Sequence, residues 1–221
     1  MSRSKARVFT LAGTLAFFGF QTYTVDATTI SNLSPIAIPA SGTEGIADPY
    51  PSIINVSGLS GTIGDVNVTI SGFSHTFPDD IDILLVGPGG QKIILMSDAG
   101  GPHDISNLTL TFDEEAPSFP SNGSSLASGL FKPVNYTGNG GPNDVFPAPA
   151  PAGPYGTLLA IFDGTDPNGD WRLFVFDDEG RDVGRIANGW SLEIATVVPE
   201  PSTWVLLGAG LMAVVIRRRK R

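Results

Sequence analysis

Asp79-Asp80-Ile81-Asp82-Ile83-Leu84-Leu85-Val86-Gly87-Pro88-Gly89-Gly90-Gln91-Lys92-Ile93-Ile94-Leu95-Met96 is the stretch on which the fold turns. Two short apolar runs rich in Ile, Leu and Val flank Pro88-Gly89-Gly90. Proline presets φ for a turn and glycine accepts positive φ, so the stretch reads as a β-hairpin. Outward from it the same grammar repeats. Val66-Asn67-Val68-Thr69-Ile70 alternates in polarity, as a half-buried antiparallel strand requires. Residues 53–56, 65–70, 108–112, 157–162, 171–176 and 190–194 are further strand candidates, separated by Gly, Pro, Asn and Asp. With almost no helix signal between them, they predict an all-β domain, a jelly-roll-like antiparallel β-sandwich. Residues 113–156 interrupt the pattern. They are rich in Pro, Gly, Ser and Asn, centre on Pro147-Ala148-Pro149-Ala150-Pro151, and read as a long excursion over the surface.

The two ends read as processing segments. Arg3, Lys5 and Arg7 precede an apolar run at residues 8–20, and Val25-Asp26-Ala27 offers a small-x-Ala cut after Ala27. Residues 1–27 are thus a signal peptide with its helix, and 28–35 a linker. At the other end, residues 204–216 are apolar and lead into Arg217, Arg218, Arg219, Lys220 and Arg221. Thirteen residues of helix span about 20 Å against a hydrocarbon core of about 30 Å, a minimal transmembrane helix. Its basic end stays cytoplasmic and the remainder outside, so the tail holds the chain in the inner membrane until it is cut.

Without those ends the charge balance sharpens. Residues 28–198 keep five basic residues (Lys92, Lys132, Arg172, Arg181 and Arg185) against twenty acids, a net charge of −15. Such a surface excludes nucleic acid and anionic lipid as partners and suits divalent cations, basic proteins or neutral glycans. The absence of cysteine removes disulfides, zinc-thiolate sites and thiol catalysis. An exported domain of this kind depends on its core alone, and about 170 residues suffice to bury one.

Two resemblances are specific. Ile36-Ala37-Ile38-Pro39, then Ile53-Ile54-Asn55-Val56-Ser57-Gly58, then His75-Thr76-Phe77-Pro78-Asp79-Asp80-Ile81-Asp82-Ile83-Leu84-Leu85 follow one another along the chain. Gly87-Pro88-Gly89-Gly90, Asn168-Gly169-Asp170-Trp171-Arg172-Leu173 and Asn188-Gly189-Trp190-Ser191-Leu192 complete the series. In order and spacing the set resembles the P (Homo B) domain of kexin- and furin-like proprotein convertases over residues 36–196. Ile81 stands where that family usually has Leu. The resemblance implies a jelly-roll β-sandwich that accompanies a protease, and buried positions for Trp171 and Trp190. The second resemblance is in residues 197–221. Pro199-Glu200-Pro201 ahead of the apolar run and the basic cluster is similar to the PEP-CTERM sorting signal. That implies processing by an exosortase and delivery to the cell surface or extracellular matrix.

A Ser-His-Asp triad must use His75 or His103, the only histidines. His75 lies within a strand pattern and His103 in a Gly-rich loop. No Gly-x-Ser-x-Gly elbow and no catalytic domain are visible, so no catalytic residue is assigned and the chain is read as a non-enzyme. The carboxylates suit calcium better than glycoside hydrolysis, because hard cations take several oxygens from Asp, Asn and backbone carbonyls. Two groups qualify: Asp80, Asp82 and Asp98, and the Asp163, Asp166, Asn168, Asp170 series. The second group lacks the Gly and Glu of an EF-hand loop. Turn chemistry explains Asp and Asn there equally well. Phe131, Tyr136, Phe146 and Tyr155 of the excursion are candidates for stacking on sugars. The sequence therefore describes an exported surface or matrix module with a binding or structural role, in contact with exopolysaccharide. The alternative is an accessory domain working with a secreted subtilisin-like endopeptidase.

Overall fold

A computed structural model of the chain describes residues 23–136, 144–199 and 217–218. Thr24–Val198 form one compact unit. The expected signal helix and the expected transmembrane helix at 204–216 lie outside the described residues. Among the described residues no helix is long and apolar enough to cross a membrane.

The domain consists of two mostly antiparallel sheets. In chain order the strands are β1 (Tyr23–Asn32), β2 (Ile36–Ile38), β3 (Gly45–Ile46), β4 (Ser52–Val56), β5 (Thr62–His75), β6 (Ile81–Val86), β7 (Lys92–Met96), β8 (Ile105–Phe112), β9 (Gly129–Phe131), β10 (Gly169–Asp177), β11 (Gly184–Ile186) and β12 (Trp190–Pro199). The first sheet is built on the long β5. β8 lies along one edge of β5, and β12 and β11 follow each other along the opposite edge. β1 flanks β12, β2 flanks β11, and β9 adds in parallel to β8. The second sheet runs β3-β10-β6-β7, with β4 also on β10. The expected hairpin is present: β6 pairs antiparallel with β7, and Gly90 at φ 85° donates its N–H to the carbonyl of Gly87 at 3.0 Å.

Alternation explains the core. β5 turns Val66, Val68, Ile70 and Phe73 inward, and β10 turns in Trp171, Leu173 and Val175. These residues belong to one cluster that also takes in Ile54, Ile81, Ile83, Leu85, Ile93, Leu95, Trp190 and Leu192, so both sheets close over a single core. β6 is buried on both faces, which is why it reads as an apolar run broken only by Asp82. Its other face carries Leu84 and Val86, which join Ile94, Phe146 and Phe174 in a second cluster beneath the excursion.

Three expectations need correction. Residues 28–35 are not simply a linker, because Thr28 to Asn32 belong to β1, and β1 also takes in residues 23–27 of the expected leader. The apolar run at 157–162 is not a strand. Leu159–Phe162 form a 3₁₀ turn that buries Leu159 and Phe162 and exposes Leu158 and Ile161, a period of three that an unbroken apolar run does not distinguish from a strand. The excursion does not merely pass over the surface. It contributes β9, and its Val134 and Tyr136 exchange backbone hydrogen bonds with Leu95 and Ser97 beside β7.

The β11–β12 junction places one glycine under heavy constraint. Gly189 has φ 68°, and a Cβ there would stand 1.9 Å from the carbonyl oxygen of Asn32 and 2.8 Å from Leu33 Cα. Gly189→Ala is expected to lower stability by more than about 2 kcal/mol, since backbone rather than a yielding side chain must move. Gly42→Ala, at φ 79° with nothing within 4 Å, should show only the backbone preference, about 1 kcal/mol. Urea denaturation midpoints of the two variants check the difference.

Candidate metal centre

Strand periodicity sets the site. Asp82 shares the outward face of β6 with Leu84 and Val86, but that face is covered by the excursion, so the side chain is buried rather than solvated. β7 ends at Met96, and the chain turns at Ser97-Asp98, with Asp98 at φ 52°, a left-handed conformation that Asp tolerates better than most residues. Asp98 is also buried. Asp144 comes from the excursion. Carboxylate oxygens of Asp82, Asp98 and Asp144 all lie within 4.8 Å of one another.

The electrostatics of this group are unfavourable to bare carboxylates. Burial foremost, with Asp144, Asp178 and Asp98 adding to it, pushes the Asp82 carboxyl up to about 8; the Ser97 side chain offsets part of the rise. Asp178 is raised to about 6, first by burial and then by Asp98, Glu179, Asp177 and Asp144. Ser97 Oγ donates to Asp98 Oδ2 at 3.0 Å, whereas Asp144 Oδ2 is buried without a hydrogen-bond partner. Like charges held together away from water demand either protons or a cation. The donor set is all oxygen, with no Cys or His, which selects a hard cation over zinc. Two oxygens on one calcium at 2.3–2.6 Å stand at most about 5 Å apart, and the three carboxylates satisfy that limit.

The sequence candidates separate cleanly. Asp82 and Asp98 converge. Asp80 does not join their triad: it is buried nearby, its backbone carbonyl accepts from Asp178 N–H at 3.0 Å, and its carboxyl is raised to about 7 by burial, then by Asp177, Asp182 and Asp178. The Asp163, Asp166, Asn168, Asp170 series does not form a site. Asp166 Oδ1 accepts from the Asn168 backbone and side chain at 2.9 and 2.7 Å, which holds its carboxyl below the usual range. The Asn168 amide pins both backbone groups of Leu59, and Asp170 accepts from Asn55 Nδ2 at 2.8 Å. Asp163 is exposed. Asp166 and Asn168 close a turn on each other, and Asp170 is turned to Asn55. Asp144 was missed. Its signal was that, apart from Lys132, it is the only charged residue between 116 and 156.

The excursion's aromatics are packing residues. Phe146 and Tyr155 meet edge to face with centroids 5.5 Å apart, Tyr136 Oη donates to the carbonyl of Pro120 at 2.8 Å, and Phe131 packs on the main core. His75 is fully buried, with Nδ1 2.9 Å from the Phe77 carbonyl and Nε2 3.3 Å from Asp177 Oδ2, a contact too poorly aligned to count as a hydrogen bond. His103 is exposed in its loop.

Residues 197–220 match the PEP-CTERM protein-sorting motif. Through that motif the chain is marked for export and for membrane-associated sorting by an exosortase. Pro199, Glu200 and Pro201 fall inside the match. No curated protein matches the chain. Among solved structures it is similar to a serine protease of Aeromonas sobria, at 14% identity and a TM-score of 0.36, over 79% of this chain and 27% of that one. The complex of the Aeromonas sobria serine protease with its chaperone gives 16% identity, the same TM-score and the same coverage. The chain thus spans about a quarter of the length of those structures.

Proposed function

We propose that this chain is a non-enzymatic surface or matrix module, a jelly-roll β-sandwich of P-domain type, in which calcium fastens the excursion to the second sheet and so shapes a binding face. The observation that carries the reading is the convergence of Asp82, Asp98 and Asp144. Two come from the ends of the β6–β7 hairpin and the third from the excursion, so one cation would add a bridge to the backbone hydrogen bonds that already join the excursion to β7. A domain with −15 net charge takes a neutral or calcium-bridged glycan more readily than a polyanion. The non-enzymatic reading is supported by His75, whose ring nitrogens lie against the Phe77 carbonyl and the Asp177 carboxylate rather than a serine hydroxyl.

Co-sedimentation of the purified, processed protein with exopolysaccharide from the producing culture tests the reading. Saturable binding in millimolar calcium, lost in chelator, is the expected result. Absence of binding in both conditions would overturn the glycan assignment and favour a secreted protease as partner.

A further inference from the structure

The sorting motif begins inside the folded domain. Its match starts at residue 197, whereas β12 runs to Pro199, and Val197 is paired on one side with Thr62 of β5. The other side of β12 is covered by β1. Two contacts set the direction of that pairing. Thr196 Oγ1 lies 3.5 Å from the carbonyl oxygen of Asp26, and the Asn32 carbonyl lies against Gly189 at the other end of β12. The strands therefore run antiparallel, and Thr24 to Ala27 cover Ala195 to Val198. Those four covering residues are all exposed, so they hold the edge mainly by backbone hydrogen bonds.

Ala27 is the expected leader cut. The cut removes the covering half of β1 and leaves Thr28 to Asn32 on the other half of β12. Ala195 to Val198 then present unpaired backbone N–H and C=O groups, an open strand edge that can accept another extended chain. We propose that leader removal bares this edge and that the exosortase docks on it, pairing with Ala195–Val198 as it takes the adjoining Pro199-Glu200-Pro201 for cutting. The inference rests on the exported, exosortase-sorted reading and on the cut after Ala27. The enzyme is favoured over a second copy of the chain as occupant for two reasons. The strand that carries the edge runs into the first residues of the matched motif, 197–199, and Pro199 lacks an N–H, which limits the edge to about four residues, far short of the roughly 1,000 Å² a stable interface needs.

The test is made in the producing cell. A variant whose leader is replaced so that the mature chain begins at Tyr23 keeps residues 23–27 over the edge. Intact-mass measurement over time is expected to show its tail removed at least about five-fold more slowly than in the wild type. Adding Val25→Pro to the long form, which removes one donor and disrupts the pairing, should restore the wild-type rate; melting curves of the purified forms check that each is folded. Equal tail removal in the long and wild-type forms overturns the proposal, as does a wild-type mature N-terminus upstream of Tyr23 with the tail already gone. A wild-type tail that stays uncut overturns the sorting reading itself, and the docking proposal with it.

Discussion

Chelator is expected to lower the Tm of the processed domain at pH 7.5 by roughly 10 °C relative to millimolar calcium. A site filled to about a thousand times its Kd contributes roughly 4 kcal/mol, and for a domain of this size each kcal/mol moves Tm by about 2–4 °C. The pH dependence should change sign between the two conditions. Asp82 in the metal-free fold is raised to about 8, Asp80 to about 7 and Asp178 to about 6. A raised acid binds more protons folded than unfolded, so its contribution is most favourable below the unfolded pKa, near 4, and is lost as pH rises through the folded value. For the buried Asp82, the elevation from 3.8 to about 8 corresponds to roughly 6 kcal/mol at most. In chelator, therefore, Tm should fall from pH 5 to pH 8. In calcium it should hold or rise over the same range, because the cation takes the deprotonated carboxylates and competes with protons.

Asp82→Asn separates this from a generic charge effect. The amide removes one repelling charge and one ligand while keeping the shape. In chelator the variant should melt above the wild type, and in calcium below it. Coincident wild-type melting curves with calcium and with chelator across pH 5–8 would remove the metal from the account and leave Asp82 protonated as the explanation of its burial.

The site was half legible for a physical reason. Asp82 and Asp98 lie near the two ends of a hairpin whose turn, Pro88-Gly89-Gly90, announces the pairing, so their proximity follows from local rules. Asp144 arrives from a segment with no periodicity, and its landing place is decided by Phe146, Ala150 and Tyr155 packing on the outer face of β6, β7 and β10. No local rule specifies such a contact. The Asp166 to Asp170 series went the other way: its spacing is that of a turn, and the turn engages Asp166 Oδ1 and the Asn168 amide.

The same distinction runs through the fold. β6 and β7 fall on the two apolar runs that flank Pro88-Gly89-Gly90, because burial on both faces leaves few polar positions in either. β9 and β11, three residues each, exist only as additions to β8 and to β5 and β2, and three residues are too few to show a period. β1 was hidden because an edge strand exposed on most positions reads as polar chain. Trp171 and Trp190, by contrast, are both buried, as the resemblance implied.

Trp171→Ala is expected to be the most damaging single substitution, lowering stability by about 4 kcal/mol. Trp171 sits in β10 opposite Ile54, fully buried, and its ring packs on Phe162 with centroids 4.8 Å apart at 55°. Its Nε1–H donates to the carbonyl of Pro167 at 2.9 Å. Truncation therefore opens a cavity in the shared core, leaves a buried carbonyl without its donor, and takes away the platform that holds the 159–162 turn inward. Gly87 lies under the same pair: a Cβ on it would be 2.7 Å from Phe162, so the hairpin, the turn and β10 meet at one point with little freedom to collapse into the space. Trp171→Phe keeps most of the ring and loses the hydrogen bond, and should cost about 1–2 kcal/mol. Urea denaturation in saturating calcium measures both. A loss below about 1 kcal/mol for the alanine variant would mean that the two sheets do not depend on this contact. With no disulfide to hold the unfolded chain and a typical margin of about 5–15 kcal/mol, the expected loss would sharply reduce the amount of domain that survives export.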